Sequence, residues 1–396
     1  MTVLNKNLTI LLFAQIFSFT SAPITVFLSG IIGSTMIDNK SLATLPSALM
    51  VIGTAIGSIF ASYIMSVYGR KFGFIIGTII TSSSALIASY TIYENIFFLY
   101  CLSNLFIGVG HSFVHQYRFA AAESVKEEHV PNAISFILFA SMIGALIGPN
   151  IATATKDVVP SVIYSGSYIF LSILTIIPFF FFLFYSNDKL IIVKESETLY
   201  TRTYLELFFQ PKFMQAVIAS SLAYCVMSFL MTATPISMHV HNNISLGKTG
   251  FVIMFHILAM FIPSLITGKL IKKFGNNQIM YAGVIILMLS IVSNFINQSF
   301  YNYFIGLILL GLGWNFLFIS GTSLLMTSYR PDEKFRAQGL NDFIIFTTQA
   351  IGALSAGFLL SFLGWKLINL FCIPLLIFII LSVLVSEYQQ KSTIKL

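Results

Sequence analysis

VIYSGSYIFLSILTIIPFFFFLFY, residues 162–185, contains no charged side chain. Its Phe, Ile and Leu residues show no two-residue alternation, so the stretch predicts a helix rather than a strand of a membrane barrel. A helix rises about 1.5 Å per residue, and the hydrocarbon core of a bilayer is about 30 Å thick. A stretch of this length therefore predicts a helix that crosses a membrane.

Apolar stretches of the same kind fill the rest of the chain. Of the 396 residues, 57% are hydrophobic and only 9% are charged, whereas a soluble domain carries about 25% charged residues. The predicted spans are 8–30, 44–66, 72–92, 97–121, 132–154, 162–185, 213–235, 249–269, 278–297, 302–326, 338–361 and 367–386. We therefore predict an all-α membrane protein with twelve transmembrane helices.

The lysines and arginines predict how these helices are oriented. Twelve spans place both termini on one side, and if that side is the cytoplasm, only four of the 21 basic residues lie outside. These four are Lys40, Lys156, Lys248 and Lys366. Because cytoplasmic loops are enriched in Lys and Arg, we expect cytoplasmic termini. The short loops and short tails favour a cell (inner) membrane. This topology also explains the net charge of +7, so we expect no nucleic-acid partner.

The two halves of the chain resemble each other at a nearly constant offset of 203 to 208 residues. The matched positions are Gly69 with Gly275, Gly108 with Gly311, Phe136 with Phe343, and Ile143 with Ile351. Duplicated six-helix halves with a solute site at their interface are typical of alternating-access carriers. We therefore predict two pseudo-symmetric halves, 1–186 and 213–396, joined by a cytoplasmic linker at 187–212.

Other classes of protein find no support in the sequence. There is no phosphate-binding loop, so we expect no ATP-driven step within this chain. Cys101, Cys225 and Cys372 lie in apolar stretches without disulfide or metal-site spacing. No histidine is paired with a carboxylate or second nucleophile at a span end, as an enzyme would need. We expect no enzymatic activity, no cofactor and no metal, and a monomer with the bilayer and a small solute as partners.

The loop after the second predicted span carries a recognisable pattern. It reads Ser62-Tyr63-Ile64-Met65-Ser66-Val67-Tyr68-Gly69-Arg70-Lys71. It resembles the Gly-x-x-x-Asp-Arg-x-Gly-Arg-Arg/Lys loop of the major facilitator superfamily: Gly69, Arg70 and Lys71 match, whereas Ser62, Ser66 and Val67 do not. The resemblance covers the whole chain and implies a twelve-helix carrier whose loop latches the cytoplasmic gate through charge pairs. Ser66 replaces the acidic member of that latch, so we expect its charge pairs to differ here.

A second motif lies in the fifth predicted span. Gly144-Ala145-Leu146-Ile147-Gly148-Pro149 matches the Gly-x-x-x-Gly-Pro core that the family carries mainly in drug/proton antiporters. Gly144 and Gly148 share one helix face and allow a neighbouring helix to approach, and Pro149 bends the helix. The resemblance favours efflux of small organic compounds, coupled to a proton or sodium gradient. Ordinary helix packing explains the same residues.

Polar side chains within the spans are the candidates for solute contact or ion coupling. His111 and His115 lie four residues apart on one face of the predicted fourth helix, followed by Gln116. They could bind an anion or a coupling proton, hydrogen-bond to a neighbouring helix, or supply two metal ligands. The further candidates are Gln15, His256, Trp314, Asn315 and Gln349.

These histidines, with no Asp or Glu near the middle of any predicted span, favour an alternative function. A carrier without a buried acid suits an anionic metabolite, taken up or exchanged, or a metal chelate. Charged residues at the span ends are candidates for gating instead: Gly69, Arg70, Lys71, Arg118, Glu123 and Asp342. We expect Arg118 to pair with Glu123 or with the acidic run at 127–128, and Asp342 to pair with Arg336 or cap its helix.

Overall fold

The computed structural model describes residues 5–38, 42, 45–160, 162–186 and 202–393, and this part of the chain forms helices and no strand. The helices are α1 (Lys6–Ser18), α2 (Ser21–Met36), α3 (Leu45–Tyr93), α4 (Phe97–His115), α5 (Tyr117–Glu123), α6 (Val130–Ala154), α7 (Ser165–Leu183), α8 (Tyr204–Phe208), α9 (Pro211–Pro235), α10 (Leu246–Phe261), α11 (Ser264–Phe274), α12 (Asn276–Ile296), α13 (Phe300–Leu325), α14 (Lys334–Leu370) and α15 (Ile373–Thr393). The predicted linker lies mostly outside the described residues, which resume at 202.

The all-helical, multi-pass fold predicted from the sequence is confirmed. Among the described residues, ten helical segments are long and apolar enough to cross a membrane. Two of them, Leu45–Tyr93 and Pro331–Gln389, are 49 and 59 residues long, far more than the roughly 20 residues that one crossing needs. Each contains a glycine with a positive φ angle, Gly69 or Gly364. The count of twelve helices stays a prediction. It places a boundary between two spans close to the glycine of each long segment.

The predicted first span is divided into α1 and α2 because of Pro23. Proline has no N–H, so Pro23 cannot donate the helical hydrogen bond to the carbonyl of Phe19. At the same place the Thr20 hydroxyl donates to the Phe17 carbonyl over 2.6 Å. The helix axis is therefore interrupted at Phe19 and Thr20.

The predicted repeat is present in the backbone. Gly69 has φ 82° and ψ 164°, and Gly275 has φ 87° and ψ 164°. Residues with a side chain rarely adopt a positive φ, so both positions require glycine. Each glycine separates one span from the next in its own half of the chain.

Helix packing repeats as well. A Cβ atom on Gly108 of α4 would meet the Met50 carbonyl oxygen of α3, and one on Gly311 of α13 would meet the His256 carbonyl oxygen of α10. Met50 and His256 are themselves 206 residues apart. A second matched pair of contacts joins Gly110 to Gly77 and Gly313 to Gly283. The duplicated halves therefore share their close helix contacts.

We expect Gly108→Ala to lower the free energy of unfolding by about 1–3 kcal/mol, because the added methyl group overpacks a backbone contact. Gly357→Ala is the matched control, since nothing lies within 4 Å of its Cβ position and alanine favours a helix over glycine. Unfolding in detergent checks both variants. Equal destabilisation by the two would contradict the packing described here.

The contacts between residues divide the chain into two compact units. Unit 1 comprises Met1–Lys126, Ala140–Tyr200 and Asp332–Phe343, and unit 2 comprises Glu127–Phe139, Thr201–Pro331 and Ile344–Leu396. The beginning of α14 thus belongs to unit 1 although it follows the linker in sequence. The two sequence halves and these contact units are not identical, because two short segments are exchanged.

Candidate functional site

Arg70 is the centre of a buried ion cluster in unit 1. It directly follows Gly69, whose positive φ interrupts α3, and it is only 5% exposed. Its Nε and Nη2 atoms donate to the two carboxylate oxygens of Glu123, at the end of α5, over 2.9 and 2.6 Å. A guanidinium that binds both oxygens of a carboxylate fixes orientation as well as charge. Two predicted gating residues therefore form a pair.

Side chains from the first turns of α14 also bind Arg70 and Glu123. Arg70 Nη2 donates to Gln338 Oε1 over 2.7 Å, and Gln338 Nε2 donates to Glu123 Oε1 over 2.9 Å. Lys334 Nζ lies 3.3 Å from Glu123 Oε2. Glu123 is thus held by two cations and an amide, and α14 supplies two of these three groups.

A second buried pair joins Arg118 of α5 to Asp342 of α14, with side chains 3% and 0% exposed. Gln116 Nε2 and Asn341 Nδ2 donate to the Asp342 carboxylate over 3.2 and 2.9 Å. The Gln116 amide oxygen also accepts from Arg70 over 3.5 Å. It therefore links the two ion pairs into one cluster. We call these eight side chains the α14 cluster: Arg70, Gln116, Arg118, Glu123, Lys334, Gln338, Asn341 and Asp342.

Two pairings expected from the sequence are wrong. Arg118 pairs with Asp342 rather than with Glu123, because Arg70 occupies both oxygens of Glu123. Asp342 lies in the interior of α14, eight positions after its first residue. It therefore accepts from side chains and does not cap the helix.

The departures from the family loop have structural counterparts. The Ser62 hydroxyl donates to the carbonyl of Phe335, near the start of α14, and the Arg70 guanidinium lies over the Phe335 ring, 5.1 Å from its centroid. Ser66, at the acidic position of the family pattern, donates to its own helix at Tyr63 over 2.7 Å. The charge pairs to α14 therefore come from α3 and α5, without an acid at residue 66.

Lys71, the remaining charged residue of the loop, has a separate contact. Its ammonium group donates to the carbonyl of Leu183, the last residue of α7, over 2.6 Å. Cations are favourable at helix C-termini, where carbonyl groups lack helical partners. This hydrogen bond holds the C-terminal end of α7 against the loop that contains Lys71.

His111 and His115 lie side by side on α4, as predicted, with ring centroids 4.7 Å apart. His111 is buried, and its Nδ1 lies 3.0 Å from the Ser21 hydroxyl. That hydroxyl donates its single proton to the Ser18 carbonyl over 2.9 Å. While the hydroxyl makes this bond it can only accept from His111, and in that arrangement the His111 proton is on Nδ1. The Phe19 ring completes the contact at 5.6 Å.

Helix α6 packs against the break between α1 and α2. A Cβ atom on Gly144 would lie 2.5 Å from the Ile16 carbonyl oxygen, and one on Gly148 would lie 3.2 Å from that of Thr20. Both glycines thus lie where α6 approaches the backbone of this break closely, and Pro149 follows them inside α6. Gln15 reinforces the contact, because its Nε2 donates to Ser141 Oγ over 2.7 Å.

Unit 2 holds the remaining candidates. Trp314 of α13 is buried in a group of aromatic rings that we call the indole cluster: Tyr224, Phe261, Trp314, Phe318 and Phe346. Trp314 and Phe318 stack with centroids 5.0 Å apart and planes 14° apart. They lie 203 residues after His111 and His115, so the two units place a ring pair at equivalent positions. Gln349 is half-buried on α14.

Asn315 connects α13 to α10 and α11. Its Nδ2 donates to the Met260 carbonyl and the Ser264 hydroxyl, and its Oδ1 accepts from Thr267, all over 2.7 Å. These contacts use both amide hydrogens. They favour a structural role for Asn315 over direct solute contact.

We expect Asn315→Leu to cost about 1–3 kcal/mol of stability, because Met260, Ser264 and Thr267 would each lose a buried partner. Asn150→Leu is the control, since Asn150 is exposed and bonds only its own helix at Leu146; we expect a change within about 0.5 kcal/mol. Denaturant unfolding in detergent measures both. Equal losses would contradict the structural role of Asn315.

Sequence reasoning missed part of the α14 cluster. Lys334, Gln338 and Asp342 recur every four residues at the start of α14, and this spacing puts them on one helix face. The repeat of polar residues at the beginning of an apolar span was an available signal. Asn341 and the aromatic partners of Trp314 carried no comparable signal.

Comparison with known proteins gives consistent results over the whole chain. The family model for the Major Facilitator Superfamily matches residues 8–340 and 216–395. Riboflavin transporter RfnT of Brucella anthropi is 32% identical over 387 residues, which cover 97% of this chain and 96% of that protein. The uncharacterized MFS-type transporter YddS of Bacillus subtilis is 27% identical over 384 residues, 92% of this chain and 87% of its own.

Solved structures agree in fold at low sequence identity. The human organic anion transporter MFSD10 matches with a TM-score of 0.79 at 12% identity, covering 96% of this chain and 99% of that one. A bacterial homologue of the iron transporter ferroportin matches with a TM-score of 0.74 at 12% identity, covering 97% and 100%. At this identity the likeness describes the fold alone.

Proposed function

Because this chain belongs to the Major Facilitator Superfamily, and is thus a membrane transporter, we propose that it carries riboflavin or a similar flat, uncharged heteroaromatic solute by alternating access. One observation carries the substrate: the 32% identity to a riboflavin transporter extends over 97% of the chain. The aligned region covers both halves of the chain, so it includes every helix that could contact the solute. A flavin is a small organic compound, as the sequence motifs favoured.

The chemistry of the spans supports this solute class. The indole cluster brings five aromatic side chains together in unit 2, and aromatic faces favour flat ring systems. No Asp or Glu lies near the middle of a predicted span, so no central carboxylate is available to attract a cation. An uncharged ring compound fits both features.

We place the α14 cluster at the gate. Helix α14 begins in unit 1 and continues into unit 2, so a movement of unit 2 that carried α14 along would break the ion pairs of Arg70 and Arg118. The predicted topology puts this cluster on the cytoplasmic side of an inner membrane. The pairs would form and open once in each transport cycle.

The second candidate solute, an anionic metabolite, is favoured by the contact of buried His111 with half-buried His115. Riboflavin and its phosphate ester separate the two proposals, because both contain the same ring and only the ester is an anion. A bacterial strain that needs external riboflavin and lacks its own carrier is the test host. We expect the chain to restore growth on low riboflavin if it mediates uptake.

Transport assays in the same cells determine the direction of transport and identify the solute. Loaded cells that lose riboflavin faster with the chain would establish efflux, and an imposed proton or sodium gradient would identify the coupling ion. Accumulation of the phosphate ester without riboflavin would favour the anion proposal. Movement of neither compound in either direction would overturn the proposed solute.

A further inference from the structure

Trp314 carries a buried hydrogen-bond donor without an acceptor. The side chain is 1% exposed, and its Nε1–H has no partner in the described part of the chain. Phe318 covers one face of the indole, whereas Tyr224 and Phe261 meet it at 82° and 80°. These rings surround the indole, and its N–H edge has no hydrogen-bond partner among the described residues.

His256 carries a complementary acceptor without a donor. It is fully buried on α10, and its Nδ1 lies 2.7 Å from the Leu307 carbonyl oxygen of α13. A carbonyl only accepts, so Nδ1 holds the proton and the neutral ring presents a lone pair at Nε2. This Nε2 has no partner among the described residues.

Both atoms lie along the contact of α10 with α13. His256 meets Leu307, and five residues later the Phe261 ring lies 6.0 Å from the Trp314 ring. Leu307 and Trp314 are seven residues apart, which is about 10 Å and two turns along one face of α13. A donor and an acceptor are therefore spaced along one helix contact, which also contains stacked rings.

Leaving such groups unpaired is unfavourable. A buried donor or acceptor without a partner destabilises the folded protein, and buried indole N–H groups usually have a partner. Phenylalanine at 314 and an apolar residue at 256 would avoid this cost while filling similar space. The retained polar atoms fit a partner that the described part of the chain does not supply.

We infer that the contact of α10 with α13 recognises the polar groups of the solute. Trp314 Nε1–H donates to a carbonyl oxygen or ring nitrogen, and His256 Nε2 accepts from an N–H or O–H at another part of the same molecule. The ligand class is a flat heteroaromatic compound that has hydrogen-bond acceptors in its ring and hydrogen-bond donors at another part of the molecule. This inference rests on the proposed function and assigns its solute contacts to unit 2.

Riboflavin binding to the purified protein tests the inference, with Trp314→Phe and His256→Asn as variants. Phenylalanine keeps the ring without the N–H, and asparagine keeps a donor for Leu307 without the distant acceptor. Each lost hydrogen bond is expected to raise the riboflavin Kd about tenfold, the equivalent of roughly 1.4 kcal/mol. The melting temperature of Trp314→Phe should stay close to that of the parent, because the removed unpaired donor offsets the cavity left by the smaller ring.

Trp365→Phe is the matched control. Trp365 is also buried with an unpaired Nε1 among the described residues, but it lies on α14 rather than on α10 or α13. We expect Trp365→Phe to change the riboflavin Kd less than twofold. Unchanged affinity in Trp314→Phe and His256→Asn, or an equal loss in Trp365→Phe, would overturn the inference alone. If the parent protein fails to bind riboflavin, the proposed solute falls, and the inference with it.

Discussion

Asp342→Ala is expected to lower the free energy of unfolding by about 3–5 kcal/mol, the largest loss among the changes considered for this chain. The substitution leaves the Arg118 guanidinium in a buried position without its carboxylate, and the side chains of this pair are 3% and 0% exposed. Gln116 and Asn341 lose their acceptor at the same time. Unfolding in detergent, followed by helix content against denaturant, measures the loss.

A double substitution separates lost pairing from lost packing. Arg118→Met with Asp342→Leu removes both charges, and we expect it to recover most of the stability that Asp342→Ala loses, because no unpaired ion remains. The Lys272–Glu128 pair is the control: its atoms are 3.8 Å apart and its side chains are 48% and 59% exposed. Glu128→Ala should change stability by less than about 1 kcal/mol. An Asp342→Ala protein as stable as its parent would refute the buried ion pair.

Arg70→Lys is expected to reduce the transport rate about tenfold or more while keeping the charge. Lysine cannot bind both oxygens of Glu123 as the guanidinium does, nor reach Gln338 from the same planar group. Charge-assisted hydrogen bonds contribute about 1.5–3 kcal/mol each, and roughly 1.4 kcal/mol corresponds to a tenfold change. Initial rates in vesicles with matched protein content measure the effect.

Lys71→Gln is the matched control for this prediction. Lys71 is the next residue in the same loop, and its contact is with the Leu183 carbonyl of α7 rather than with α14. We expect it to keep more than half of the parent rate. If Arg70→Lys also transports at the parent rate, the proposed role of the α14 cluster in gating is wrong.

Several features of the fold could be read from the sequence because they depend on neighbouring residues. The boundary between the second and third spans follows from Gly69, whose positive φ only glycine tolerates readily. The spacing of Gly144 and Gly148 puts both on one helix face, and both indeed meet the α1–α2 break. The ring contact of His111 with His115 follows from a separation of one helical turn.

The pairing of charges could not be read in the same way. Arg118 and Asp342 are 224 residues apart, and sequence proximity favoured the wrong partner, Glu123. Which carboxylate an arginine reaches depends on where α14 begins and on Arg70 having already occupied Glu123. The hydrogen-bond partners of His111 and His256 could not be read either, because Ser21 and the Leu307 carbonyl belong to other helices.

Riboflavin counterflow in liposomes tests the central claim most directly. Sealed vesicles that contain the purified chain are loaded with unlabelled riboflavin and diluted into a trace of labelled riboflavin. A carrier that alternates access exchanges the two, so we predict transient, saturable accumulation of label that does not occur with protein-free vesicles. Accumulation equal to that of protein-free vesicles, from a preparation whose helix content is intact, would contradict the assignment of this chain as a riboflavin carrier.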